Sequence, residues 1–150
     1  PMARAERDAA REGRRVVVCR WSQCPHDHEL ADVRRPHPLG NPWTVLRRGR
    51  LATEWRDALC DAFATALHAA MSCATSDLAA IGTSHGLPQG ALQKPYADVA
   101  WADYAAAVRS AVDDLRRLTR RGTRVALGCA CHPERCHADT IADAVCEDCD

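Results

Sequence analysis

The stretch RVALGCACHPERCHADTIADAV, residues 124–145, carries most of the information about the fold. It begins with a short apolar run, residues 125–129, that predicts a buried strand. It ends with a helical pattern that Asp139 or Thr140 would cap. Between the two, three cysteines and two histidines fall within nine residues. A strand, a tight loop and a helix in this order are typical of a parallel α/β fold.

One further apolar run and two long helical patterns complete the prediction of the fold. The β-branched residues 16–18 predict a second buried strand. Apolar residues recur every four positions from Leu51 to Met71, and another amphipathic pattern runs from about residue 96 to a stop at Gly122. We predict an α/β fold: a small Rossmann-like three-layer domain with a short, mostly parallel sheet flanked by helices.

The length of the chain, 150 residues, fits one domain that buries its own core. Residues 1–15 begin like the remnant of a cleaved tag and continue as a polar, helix-compatible lead-in, so the α/β domain is expected to span residues 16–150. Residues 22–45 are predicted to be a long loop, and residues 73–94 a connection between helices.

The net charge and the cysteine content of the chain restrict the classes of function that we expect. Twenty basic and twenty acidic residues give a formal net charge of zero, so no overall field attracts nucleic acid or a membrane. Apolar runs stay well below the roughly twenty residues that a membrane helix needs. Nine cysteines without a secretory signal favour reduced thiols, and hence metal binding or thiol chemistry. We expect a soluble, intracellular protein without a membrane partner.

The Cys/His loop is compatible with a zinc site. Cys129, Cys131, Cys136 and His137 provide the thiolate and imidazole ligands of a tetrahedral zinc ion. The Cys-x-Cys spacing is less suited to a zinc knuckle than a Cys-x-x-Cys spacing. Zinc is therefore the alternative interpretation of this loop.

The same loop is compatible with a reactive thiol. Cys136 lies just ahead of the closing helix, where free amides and the helix dipole favour a thiolate or a bound anion. His137 or His132 would be its proton partner, and Cys131 and Asp139 complete the candidate catalytic residues.

A second loop, RRPHPLGNPW at residues 34–43, follows the first predicted strand. Ligands of open α/β sheets bind beyond the carboxyl ends of the strands, so both loops are expected to line one pocket. Together the two loops provide arginines to bind a phosphate, a glycine that lets a ligand approach the backbone closely, and a tryptophan ring to stack on a base. The candidate ligand-binding residues are Arg35, Gly40, Asn41, Trp43 and Arg135.

Two smaller cysteine groups are weaker candidates. One group lies at the end of the first predicted strand and in the loop after it, and has two interpretations, an accessory metal site or a polar surface loop. Its residues are Cys19, Cys24, His26 and His28. Cys146 and Cys149 form a Cys-x-x-Cys pair at the end of the chain. This pair either binds a metal or becomes oxidised, or it has no functional role.

The two loops also carry a resemblance to a family. The pattern Arg35-Pro36 followed by Gly40-Asn41-Pro42-Trp43, and then Leu127-x-Cys129-x-Cys131-x-Pro133-x-x-Cys136-His137-x-Asp139, resembles the domain of unknown function 4326 family. The sequence departs from the family in a longer region at residues 73–94 and in Ala130, where an aromatic residue is frequent. The resemblance implies a fold and a site, but no reaction.

We therefore predict a ligand-binding, enzymatic domain that acts on a nucleotide-like or phosphorylated small molecule, as a hydrolase or transferase with a Cys/His site. The alternative is a zinc-stabilised interaction module. Such a module would contact nucleic acid through Arg47, Arg48, Arg50 and the arginines of residues 116–124.

Overall fold

The computed structural model describes residues 16–47, 50–131 and 134–146, so the N-terminal lead-in lies outside the described residues. The strands are β1 (Val16–Arg20), β2 (Glu29–Asp32), β3 (Leu46–Arg47), β4 (Arg50–Leu51) and β5 (Val125–Cys129). The α-helices are α1 (Arg56–Met71), α2 (Leu78–Ser84), α3 (Trp101–Arg120) and α4 (His137–Cys146). Short 3₁₀ helices, Thr53–Trp55 and Tyr96–Asp98, precede α1 and α3. Among the described residues, no helix combines the length and apolar composition needed to cross a membrane.

Three parallel strands form the central sheet, in the order β1-β5-β2. All residues of β5 are buried, because this strand has neighbours on both sides. The strand β2 lies within the predicted loop of residues 22–45, so the prediction of an unbroken loop was wrong. Its sequence ELAD carries no apolar pattern and is partly exposed, and it is a strand because it pairs with β5.

The helices α1, α3 and α4 contact one another, and α3 and α4 also contact the sheet. Their apolar sides form one core with residues of the sheet. The core residues from the sheet include Val16, Val18, Val125 and Leu127, and those from the helices include Phe63, Val108, Val112 and Ile141. The predicted α/β class, with a short parallel sheet flanked by helices, is confirmed.

Two helix starts differ from the prediction. The helix α1 begins at Arg56 rather than Leu51, because the backbone of Leu51 pairs in the β3–β4 hairpin. The helix α4 begins at His137, so Asp139 lies within its first turn and the predicted cap at Asp139 or Thr140 was wrong. The Asp139 carboxylate instead accepts a hydrogen bond from the Cys136 backbone N–H at 3.3 Å, as the third residue of a capping box does.

A small residue is required at Gly128 in β5. The chain after β1 passes so close that a Cβ atom there would lie 2.9 Å from Trp21 Cα and 2.8 Å from Leu30 Cδ1. We predict that Gly128→Ala lowers the free energy of unfolding by about 1–3 kcal/mol, because the backbone of residue 21 has to move. Urea denaturation measures this change. A difference within about 0.5 kcal/mol, as at an ordinary surface position, would contradict the close approach.

Candidate functional site

Both predicted loops line one cavity at the carboxyl end of the sheet, with a volume of about 470 Å³. The first loop contributes Arg34, Arg35, Asn41 and Trp43, and the second contributes Cys129, Cys131, Arg135, Cys136 and His137. The helix α1 adds Arg56, Leu59 and Cys60, none of which the sequence analysis identified. The predicted proximity of the two loops is confirmed.

A buried part of the cavity wall is a Cys/His cluster formed by Cys129, Cys136 and His137. One ligand atom from each residue lies within 4.8 Å of the other two. The side chains come from the last residue of β5 and from the start of α4, which the tight loop brings together. Cys129 is 3 % exposed and Cys136 is 2 % exposed, so only a small part of either side chain reaches the cavity surface.

The hydrogen bonds of His137 determine its tautomer. Its Nε2 lies 2.8 Å from the Val33 carbonyl oxygen, which can only accept, so Nε2 carries the proton. Its Nδ1 therefore presents a lone pair, and it lies 3.7 Å from Cys129 Sγ. Burial lowers the pKa of His137 to about 4 and keeps the ring neutral. A neutral imidazole with a free lone pair suits a metal ligand better than the cationic partner of a thiolate.

Cys131 is the accessible thiol of the loop. It is half-buried and lines the cavity, but it lies outside the group of three. Hydrogen bonding with the Cys129 thiol lowers the pKa of Cys131 to about 6 against the opposing effect of burial, and the charges of Arg56 and Arg35 lower it further. Among the thiols that line the cavity, Cys131 is therefore the one that combines exposure with thiolate character.

Cys136 is a buried thiol of the cavity wall. Hydrogen bonding with Cys129 lowers the pKa of Cys136 as well, so a thiolate is favoured there, as predicted from its place ahead of the closing helix. The side chain is nevertheless 2 % exposed and belongs to the core. The Cys129 thiol, which interacts with both neighbours, has a raised pKa and keeps the shared proton.

Within the described part of the chain, Arg35 has no ion pair, and Arg56 has only a long one to Glu134. Arg56 lies 3.5 Å from the Glu134 carboxylate, and its buried Nε has no hydrogen-bond partner among the residues that the structure describes. Arg35 donates to the Asn41 carbonyl at 3.0 Å. A signal for Arg56 existed in the sequence, because a cation in the first turn of a helix opposes the dipole.

The other two arginines of the cavity are bound to carboxylates. Arg135 donates to Asp57 at 2.8 Å and to Asp61 at 2.7 Å, and these bonds connect the Cys/His loop to α1. Arg34 pairs with Asp32 at 2.7 Å. Both guanidinium groups therefore serve contacts within the protein.

The Gly-Asn-Pro-Trp motif stabilises the conformation of the first loop through contacts within the protein. The Asn41 side chain donates to the Leu59 carbonyl at 3.1 Å and accepts from the Trp43 N–H at 3.1 Å. Trp43 is 2 % exposed, and a Cβ on Gly82 of α2 would lie 2.7 Å from its indole nitrogen. A Cβ on Gly40 would lie 2.5 Å from the Tyr96 hydroxyl. The close approaches predicted for a ligand are thus contacts with the protein itself.

Residues 73–94 pack against the first loop and hydrogen-bond to it. Besides Gly82, which packs against Trp43, this region provides backbone partners for the loop. The Thr44 N–H donates to the Ala91 carbonyl at 2.9 Å, and the Gln93 N–H donates to the Pro42 carbonyl at 2.8 Å. The connection at residues 73–94 therefore packs against the loop that forms this part of the cavity wall.

The remaining candidates lie elsewhere. Cys24 hydrogen-bonds to backbone carbonyls and His28 pairs with Asp27, and the cluster at Cys129 is the single potential metal cluster found in the described part of the chain. Within the basic run, Arg117 pairs with Asp114 and Arg124 with Asp27. Outside the described residues or side chains lie His132, Pro133, Cys149, Arg47, Arg48 and Arg50.

The lowered pKa of Cys131 predicts the pH dependence of its alkylation. An acid with a lowered pKa ionises at lower pH, so in reduced, chelator-treated protein the iodoacetamide rate at Cys131 should rise with a midpoint near pH 6. Mass spectrometry of the labelled peptides measures this rate. Cys131→Ser should remove that phase, while exposed Cys73 serves as the internal reference. A midpoint at the ordinary thiol value near 9 would contradict the prediction.

Comparison with known proteins adds one finding to this geometry. A family model described as "Domain of unknown function (DUF4326)" matches residues 16–147. Searches of curated proteins and of solved structures gave no match. The matched region contains both loops, the central sheet and the four α-helices of the described residues. The chain therefore belongs to the domain of unknown function 4326 family.

Proposed function

We propose that this domain binds an anionic small molecule, phosphorylated or nucleotide-like, in the cavity between the two loops. The observation that carries the proposal is the pair Arg35 and Arg56 beside the thiol of Cys131, with the Arg56 Nε buried and without an acceptor among the described residues. A buried N–H without an acceptor costs free energy, and a phosphate oxygen would satisfy it.

The shape and lining of the cavity support a small ligand. Its volume of about 470 Å³ lies within the usual range of roughly 300–1,000 Å³ for such sites. Apolar side chains of Leu46, Leu59 and Trp43 share the wall with the two arginines. An apolar wall with a few cations suits a ligand that joins a ring to a phosphate.

An enzymatic role would involve Cys131 rather than Cys136. Both thiols line the cavity, but Cys131 is half-buried whereas Cys136 is 2 % exposed and belongs to the core. The buried, neutral His137 is poorly suited to carry a proton during a reaction. We therefore assign Cys131 the contact with the ligand in a hydrolase or transferase.

A zinc ion in the Cys/His cluster is the second candidate function, and the lone pair of His137 favours it. Tetrahedral zinc with ordinary bond lengths separates a sulfur ligand from a nitrogen ligand by about 3.6 Å. The distance from Cys129 Sγ to His137 Nδ1 is 3.7 Å. The bond from Nε2 to the Val33 carbonyl is the outer contact that zinc-binding histidines usually make.

We predict that Arg56→Ala and Arg35→Ala each weaken the binding of adenosine monophosphate or inorganic phosphate by about tenfold or more. The reason is that a hydrogen bond to a charged group contributes about 1.5–3 kcal/mol. Isothermal titration calorimetry with the full chain measures the affinity. Arg117→Ala is the matched control, because this arginine is exposed on α3 and pairs with Asp114. Unchanged affinity in both cavity variants, or no binding of either probe by the unaltered protein, would refute the proposal.

For the metal, we predict one zinc per chain after purification under reducing conditions, measured by plasma mass spectrometry. His137→Ala should lower the zinc affinity by about tenfold or more, because it removes a ligand. Cys73→Ser provides the control, since this exposed cysteine lies outside the cluster. A metal-free protein that also fails to bind added zinc would rule out the second candidate.

A further inference from the structure

We propose that the metal at Cys129, Cys136 and His137 is open towards the cavity, and that its fourth coordination position takes an oxygen of the anionic ligand. This inference rests on the proposed function, because it joins the two candidate sites into one. It also assigns the metal a role in ligand contact rather than in stability alone. Catalytic zinc sites have three protein ligands and one open position, whereas structural sites are closed by four.

The position of the three donors supports an open site. Cys129, Cys136 and His137 all line the cavity wall. Behind them lie the Val33 carbonyl, bound to His137 Nε2, and the Phe63 ring, whose centre is 5.0 Å from that of the imidazole. A tetrahedral ion held by three donors from the wall directs its fourth position away from them. That direction leads into the cavity.

Cys131 is the residue that would otherwise close the site. It lies beside Cys129, but it is not part of the group whose ligand atoms are mutually within 4.8 Å. A closed site of three cysteines and one histidine would require this side chain to move into the group. We therefore place Cys131 next to the metal and not among the residues needed to hold it.

The two arginines place an anion on the same side of the metal. Arg35 and Arg56 line the cavity together with the three donors. Both also act electrostatically on Cys131, the neighbour of Cys129. A phosphate bound by the guanidinium groups would therefore have an oxygen directed to the open position.

The test uses the full chain with cobalt in place of zinc, because the visible spectrum of cobalt reports its ligands. Inorganic phosphate is the probe. We expect phosphate to shift the d–d bands saturably, and Arg56→Ala to raise the required phosphate concentration by about tenfold without loss of cobalt. Cys131→Ser should keep one cobalt per chain and an unchanged thiolate-to-cobalt charge-transfer band, as the control Cys73→Ser should.

Three results would overturn the inference, and they separate it from the proposed function. If Cys131→Ser loses metal as His137→Ala does, the site is closed by four ligands. If calorimetry detects bound phosphate while the cobalt spectrum stays unchanged, ligand binding stands and only the coordination is refuted. If the unaltered protein binds neither zinc nor cobalt, the metal site itself is refuted.

Discussion

The buried imidazole of His137 donates a hydrogen bond to the Val33 carbonyl, and this bond joins the start of α4 to the chain that follows β2. It fixes the proton on Nε2 and so directs the lone pair of Nδ1 towards Cys129. The Val33 N–H in turn donates to the Gly128 carbonyl in β5. Through these contacts the two loops are held at one edge of the sheet. The Cys/His cluster and the cavity both depend on this connection.

The polar groups of the site fall into two sets with different tasks. Asn41 and Arg135 use their hydrogen bonds within the protein and attach the two loops to α1. Exposed ion pairs such as those of Arg135 contribute little stability individually, so their effect is mainly to position the Cys/His loop. Arg35 and Arg56 retain guanidinium N–H groups that can donate hydrogen bonds to a ligand. Motif residues such as Asn41 can therefore serve the structure of the protein itself, whereas Arg56, which lines the cavity, belongs to neither sequence motif.

The fold was largely predictable because its signals are local. The strands β1 and β5 contain the continuous apolar runs 16–19 and 125–129, and α1 and α3 show clear helical periodicity. The strand β2 was missed since its four residues carry no apolar pattern and depend on pairing with β5. The start of α4 was also misplaced, because Asp139 stabilises the helix from its first turn and not from the cap.

The sequence by itself predicted that the two loops meet at one edge of a parallel sheet, because each was expected to follow a parallel strand. The strand that directly precedes residues 34–43 is β2, which depends on its pairing with β5 and has no apolar pattern of its own. The sequence also determined which thiols and imidazole are available. Only the tertiary structure decided that, in the cavity wall, Cys131 is more exposed than the buried Cys136, and that Arg56 on α1 joins Arg35 there. Burial and electrostatic surroundings arise from contacts between distant segments, so the exposure and pKa of each thiol carry no signature in its neighbouring residues.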